Sequence, residues 1–168
     1  MDRQILFSTG ECVLGTLLVA RSERGVCAIL LGDDAKALER DLRARFPNDE
    51  VCDAYVGLEP LLEEVARFLA APGARLELPL DLRGSELEQR VWNALREIQP
   101  GTTQTYSEVA QRLGVAATAK EVGEACAANP LAVAVPCHRV LRKDGSLGGY
   151  RWGLRRKRAL LERERAAA

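Results

Sequence analysis

Leu131-Ala132-Val133-Ala134-Val135-Pro136-Cys137-His138-Arg139-Val140 passes from an apolar run to a cluster of reactive side chains without a break. The first five residues are small or β-branched, the composition of a short buried strand. Pro136 ends it, because proline donates no N–H and holds its own φ fixed. Cys137 then stands where a rigid element stops and a cavity can begin, and the only histidine of the chain follows it directly. A thiol reacts as its thiolate, and a neighbouring His or Arg lowers its ordinary pKa of about 8.5. A buried structural cysteine fits the same residues, since free Cys is among the most buried residue types. Spacing alone does not separate the two.

Upstream of this stretch the sequence punctuates helices. Ser85-x-x-Glu88 is a capping box that opens a helix through Val91, Trp92, Leu95 and Ile98, ended by Pro100-Gly101. Thr105-x-x-Glu108 opens a second, Tyr106–Leu113, with Gly114 as its stop. Thr118-x-x-Glu121 opens a third, Ala119–Ala128, before Asn129-Pro130. Two short helices around a Gly-containing turn are the pattern of a helix-turn-helix, which any αα-hairpin shares. Joined to the strand, the cysteine and the glycine-rich segment 145–149, they read as a winged variant.

The first part of the chain alternates differently. Val13–Ala20 and Val26–Leu31 are apolar strands flanking the turn Ser22-Glu23-Arg24-Gly25. Asp33-Asp34 cap a helix whose Leu38, Leu42 and Phe46 recur at i,i+4 until Pro47. A further helix from Glu59 to Ala71 carries Leu61, Leu62, Val65, Phe68 and Leu69 on one face and stops at Pro72-Gly73. Leu76–Leu82 is extended and crosses between two lobes, placed at residues 1–78 and 79–168. The first lobe holds no constellation of catalytic residue types, so its role is architectural.

Composition narrows the classes. At 168 residues, 47% hydrophobic and 29% charged, the chain suits a soluble protein with one core or two small lobes. No apolar run spans a membrane, and Met1-Asp2-Arg3-Gln4 lacks a secretory pattern, so a cytoplasmic location and no membrane partner are expected. Cysteines at 12, 27, 52, 126 and 137 form no CxxC pair and leave one over, which argues against a disulfide framework and against a metal site. The net charge of zero conceals an asymmetry: ten Lys/Arg face three Asp/Glu from Arg139 to Ala168. A basic end on an acidic body suits a polyanion, and equally a solvated helix laced with i,i+4 pairs.

Pro136-Cys137-His138-Arg139-Val140 resembles the active-site signature of the O6-alkylguanine-DNA alkyltransferases, or methylated-DNA–protein-cysteine methyltransferases. Asn129-Pro130, Gly148-Gly149-Tyr150 and Gly101-Thr102-Thr103-Gln104-Thr105-Tyr106-Ser107 occur in the family's order. Residues 22–34 and Arg151-Trp152-Gly153 look most like the C-terminal alkyltransferase domain of the bacterial adaptive-response protein. The resemblance implies an α/β (α+β) fold, with a ribonuclease-H-like sheet-and-helix lobe followed by a winged helix-turn-helix lobe that carries the cysteine. It implies repair of double-stranded DNA by irreversible, single-turnover transfer of an alkyl group from O6-alkylguanine, and from O4-alkylthymine as a further substrate, to Cys137. The base is flipped out for this, the second helix enters the minor groove, the protein acts as a monomer, and no cofactor is required. Some relatives carry a structural zinc in the first lobe, but the histidines it would need are absent here.

Carried over residue by residue, Cys137 is the nucleophile and His138 its base, acting through a water. Glu164 orients the histidine, with Glu162 as the alternative, and Asn129 ties the preceding turn to the cysteine segment. Tyr106, Val140, Gly148, Gly149, Tyr150 and Arg151 line the guanine pocket. Thr105, Tyr106, Ala119, Lys120 and Arg139 face DNA. From the residues alone, Tyr106 fits helix packing, Asn129 an ordinary helix cap and Glu164 a solvated charge. The sequence departs from the pattern at Lys120, where Arg is usual, at Glu121, where Ala is usual, and at Glu124, where Gly or Ser is usual. Lys lacks the planar guanidinium, and two carboxylates oppose phosphate binding, so reduced DNA affinity is expected. Damage recognition without chemistry is the alternative function, and Cys137 argues against it.

Overall fold

The computed structural model describes residues 3–54, 56–72, 75–114 and 117–167. Its first part is a four-stranded sheet in the order β3-β2-β1-β4, formed by β1 (Gln4–Cys12), β2 (Gly15–Arg21), β3 (Val26–Gly32) and β4 (Glu50–Asp53). The first three strands run antiparallel through two hairpins, and β4 lies parallel to β1. Sequence patterning anticipates β2 and β3 and misses β4, four residues with a single buried side chain, Val51. Helix α1 (Ala35–Arg45) is capped by Asp34 and packs on one face, while α2 (Glu59–Ala70) packs on the other. The assignment of faces follows from two close approaches. A Cβ at Gly32 would meet Leu38 of α1, and one at Gly10 would meet Leu62 of α2. Leu17 to Ala20 of β2 are fully buried because both faces of that strand are covered. Of the helix stop at Pro72-Gly73, Gly73 lies outside the described residues, as do Met1 and Asp2.

The second part contains α3 (Glu86–Leu95), α4 (Tyr106–Arg112), α5 (Ala119–Ala128) and α6 (Leu154–Ala167). Capping boxes at Ser85/Glu88 and Thr118/Glu121 are complete. At Thr105 the hydroxyl accepts from Glu108 N at 3.1 Å, without the return bond that completes the other two boxes. Trp92 is buried between α3 and α5 and donates its indole N–H to Ala125 O at 2.9 Å. A small parallel ladder joins β5 (Gln104–Thr105) to β6 (Val140–Leu141).

The expected strand Leu131–Val135 is not one. Leu131 makes a single parallel bridge to Ile29, and the chain then turns, with Val135 N bonded to Leu131 O at 3.0 Å. Apolar composition here reports complete burial rather than pairing, because β3 offers this segment one position and the turn satisfies the rest. Val133 adopts φ +61°, an outlier for a β-branched residue that costs about 1–3 kcal/mol and persists only where the surroundings over-determine it.

The sheet holds this turn in place. Ile29 N donates to Pro130 O and Ala132 N to Ile29 O, both at 2.9 Å. The crossing segment is held by the same strand, through a Val26–Leu80 bridge. Arg156 fastens α6 to the β1–β2 hairpin by a bond to Leu14 O at 2.9 Å and to the end of β3 by one to Asp33 Oδ1 at 2.7 Å. The exposed edge of β3 is therefore covered by the segments that lead to Cys137. None of the described helices is long and apolar enough to cross a membrane.

Candidate functional site

Cys137 opens a single 3-10 turn, Cys137–Arg139, immediately after the buried turn. Asn129, the C-cap of α5, staples the two together. Its Oδ1 accepts from Leu131 N at 2.8 Å, and its Nδ2 donates to Val135 O at 3.0 Å and to Cys137 Sγ at 3.3 Å. Burial pushes the Cys137 thiol up, while the Asn129 donor and the Lys157 ammonium pull it down. The net direction is upward, so the resting group is a thiol, and reaction as a thiolate needs a base.

A candidate base, His138, follows it directly. Glu164 of α6 is 1% exposed and bonds His138 Nε2 at 2.7 Å. It also accepts from Arg139 Nε at 3.0 Å and from Arg139 Nη2 at 2.7 Å. Burial alone would raise its carboxyl, but these donors outweigh it and hold the group at about 2. An ionised carboxylate only accepts, so Nε2 carries the imidazole proton and Nδ1 is the basic nitrogen. Burial lowers the His138 pKa against the pull of Glu164, which keeps the ring neutral. Nδ1 is buried without a hydrogen-bond partner among the described residues, as is the Tyr150 hydroxyl.

A cavity of about 600 Å³ opens in front of the thiol. Its walls bring together Cys137, Tyr106, Gly148, Gly149, Tyr150 and Arg151 with Ala119 and Lys120 of α5. Gly148, at φ +70°, is required as glycine, because a Cβ there would stand 3.0 Å from the Tyr106 hydroxyl. Tyr150 packs edge-on to Trp152 at 5.3 Å, and Arg151 donates to Asn129 O at 2.8 Å.

Three expected site residues stand elsewhere. Arg139 is 4% exposed and committed to Glu164 and Ile98 O, so it supports the histidine from behind and does not reach a DNA-facing surface. Val140 is buried behind the cavity wall, its carbonyl taken by Lys157 Nζ at 2.7 Å. Thr105 caps α4 and pairs with Leu141 without lining the cavity. Glu162 is exposed, which leaves Glu164 as the partner of His138. Glu121 is occupied at the helix start by Thr118, and neither it nor Glu124 lines the cavity.

Sequence reasoning missed Lys157. It is 0% exposed, and its ammonium bonds the carbonyls of Val140, Leu147 and Gly149 and lies 5.9 Å from the Tyr106 ring centroid. It thus fastens the glycine-rich segment to α6. The run Arg155-Arg156-Lys157-Arg158 reads as a solvated face, but Lys157 lies seven residues before Glu164 and shares its buried stripe with Leu160. Cys126, Arg142 and Lys143, also unanticipated, line the cavity too. Among the described residues no group of three or more His, Cys, Asp or Glu could hold a metal ion.

Comparison with known proteins places these features in context. Residues 86–166 match the family model for the 6-O-methylguanine DNA methyltransferase, DNA binding domain. The chain is 46% identical over 160 residues to the bifunctional transcriptional activator/DNA repair enzyme Ada of Escherichia coli, covering 95% of this chain but 45% of that protein. It is 36% identical over 143 residues to the inducible methylated-DNA–protein-cysteine methyltransferase of Bacillus subtilis, covering 83% of this chain and 80% of the relative. The crystal structure of the O6-methylguanine methyltransferase of Mycobacterium tuberculosis superposes with a TM-score of 0.80 at 30% identity, covering 98% of this chain and 94% of that one. The same protein has been solved in complex with DNA.

Proposed function

The chain belongs to the methylated-DNA–protein-cysteine methyltransferase family, and from that premise we propose that it repairs double-stranded DNA by moving the alkyl group of O6-alkylguanine onto Cys137. O4-alkylthymine is the further substrate of the same reading. The single observation that carries it is a cysteine at the wall of a cavity large enough for a base, backed by a neutral imidazole whose far nitrogen is held by a buried carboxylate. The chemistry then follows from the atoms. The Cys137 proton passes through a water to His138 Nδ1, sulfur forms a bond to the alkyl carbon, and the carbon–O6 bond breaks with its electron pair on the guanine. The thioether is stable, so each molecule acts once, and the step uses no cofactor.

The lesion lies inside the stack, so the nucleotide has to be flipped into the cavity to meet the thiol. Tyr106, Gly148, Gly149 and Tyr150 receive it there, with α5 laid in the minor groove. Lys120, 86% exposed and 4.0 Å from Glu124, lacks the guanidinium plane and stands beside two carboxylates, so DNA affinity through this helix is reduced. The division at residues 78/79 goes with this reading, the first lobe fixing the turn and the second carrying the chemistry, and the chain works as a monomer. The chain spans about half the length of the enterobacterial relatives it matches, which are named as regulators as well.

Intact-protein mass spectrometry after incubation with a duplex bearing one O6-methylguanine tests the reading. One added methyl group, mapped to Cys137 and absent in Cys137→Ser, is expected. No gain from the duplex or from free O6-methylguanine would overturn transfer and leave damage recognition without chemistry.

A further inference from the structure

We infer that the phosphate clamp of this chain is the turn 142–146, through Arg142 and Lys143, rather than the amino-terminal half of α5. The inference rests on the DNA-directed reading above and assigns that contact to residues outside the helix-turn-helix. Two of the cavity's four cations, Arg142 and Lys143, come from this turn, one from α5, and Arg151 is committed to Asn129 O. Among the described residues no Asp or Glu lines the cavity. The turn is rigid by construction. Arg142 N donates to Ser146 O and Gly145 N to Arg142 O, both at 2.9 Å. Asp144 Oδ1 is turned back on Ser146, accepting from its N at 3.0 Å and its hydroxyl at 2.7 Å, which engages the one acid of the turn locally.

Both flanks of the turn are fixed as well. Before it, β6 pairs with β5, the strand that leads into α4. After it, Lys157 binds the carbonyls of Leu147 and Gly149. The Arg142 stem passes beside Gly148, its Cγ 3.4 Å from where a Cβ there would stand, and the exposed side chain lines the cavity with Lys143. Side chains carried on a fixed backbone turn lose less freedom on meeting a phosphate than those on a mobile loop. On α5, by contrast, Lys120 shares its surface with Glu124 and Glu121.

The test is binding of unmodified duplex DNA by fluorescence anisotropy across a salt series, in the full chain. Arg142→Ala/Lys143→Ala is expected to weaken binding more than tenfold at moderate salt and to make log K against log salt shallower by about 2, near 0.9 per lost phosphate contact. Arg142→Lys/Lys143→Arg should restore the slope, which a merely structural role would not do. Lys120→Ala is expected to change affinity less than threefold. Melting curves of each variant identify any that fails to fold, and Arg142→Gln/Lys143→Gln then serves in its place. A slope unchanged in the double variant, or a larger loss in Lys120→Ala, overturns the assignment. Because this duplex carries no lesion, the result stands apart from whether alkyl transfer occurs.

Discussion

Behind Cys137, the side chains of Asn129, His138, Arg139, Lys157 and Glu164 are buried and bonded to one another or to backbone carbonyls. In front of it, Lys120, Arg142 and Lys143 all stand exposed to solvent. The rear side fixes one geometry in a poorly solvated place, where removing a partner strands another polar group. The front side presents charge through water, where single changes are screened by salt. Substitutions behind the thiol should therefore move stability and chemistry together, and those in front should move DNA affinity alone.

Glu164→Gln strikes the rear side hardest. It leaves Arg139 buried without its counter-charge, a loss of about 3–5 kcal/mol. It also weakens His138 as a base, which slows alkyl transfer about 100-fold or more. Thermal melting and single-turnover mass spectrometry report the two effects, and an unchanged melting temperature would erase the contrast between the two sides.

Acid probes the same pair. The Glu164 carboxyl is held at about 2, below an unfolded value of about 4.3, so its contribution is full above that unfolded value and is lost as pH falls toward 2. His138 is buried neutral with a lowered pKa, and its contribution starts to fade as pH falls through about 6.5. Melting temperature should decline in two acid stages, the lower of them missing in Glu164→Gln.

Lys157→Met comes next. Three carbonyls lose their donor, for about 1–3 kcal/mol, and the cation that lowers the Cys137 thiol pKa is gone. The pH at which iodoacetamide modifies Cys137 should rise. A thiol profile identical to that of the parent would reduce Lys157 to a strut.

On the front side, Lys120→Arg, Glu121→Ala and Glu124→Ser together should tighten duplex binding roughly three- to tenfold at moderate salt with little change in melting. Equal affinity would mean that α5 does not face the phosphates. The smallest effect is expected at Val133. Glycine relieves strain of about 1–3 kcal/mol at its positive φ while giving up a similar amount of burial. Val133→Gly should thus melt close to the parent, whereas Val135→Gly, with no strain to relieve, should melt several degrees lower.

Local rules carried the sequence reading a long way. Capping boxes located α3 and α5, i,i+4 apolar spacing located α1 and α2, and uninterrupted apolar runs located β2 and β3. Cys137 and His138 stood out because a lone histidine beside a cysteine after a proline is unusual chemistry in few residues, whereas Asn129 reads locally as a helix cap and was marked only by the family resemblance. The rest was hidden for identifiable reasons. β4 is too short and too exposed to show a period. Leu131–Val135 has the composition of a strand, yet the sheet edge gives it one bridge. Arg139 follows a reactive pair and carries a charge, which suggests an outward role, but Glu164 lies 25 positions away and draws it inward.

By itself the sequence determined which segments are helical, which are apolar, and which residue types meet at Pro136-Cys137-His138, because those properties depend on neighbours a few positions apart. The tertiary structure decided what each charge faces. Lys157 and Arg158 are adjacent in a basic run, yet one is sealed against three carbonyls and the other meets solvent. Glu121 and Glu164 are the same residue type, yet one closes a helix cap and the other holds a buried imidazole. Charge, unlike helix propensity, takes its free energy from partners distant in sequence and from the water it has lost, and only the folded chain sets both.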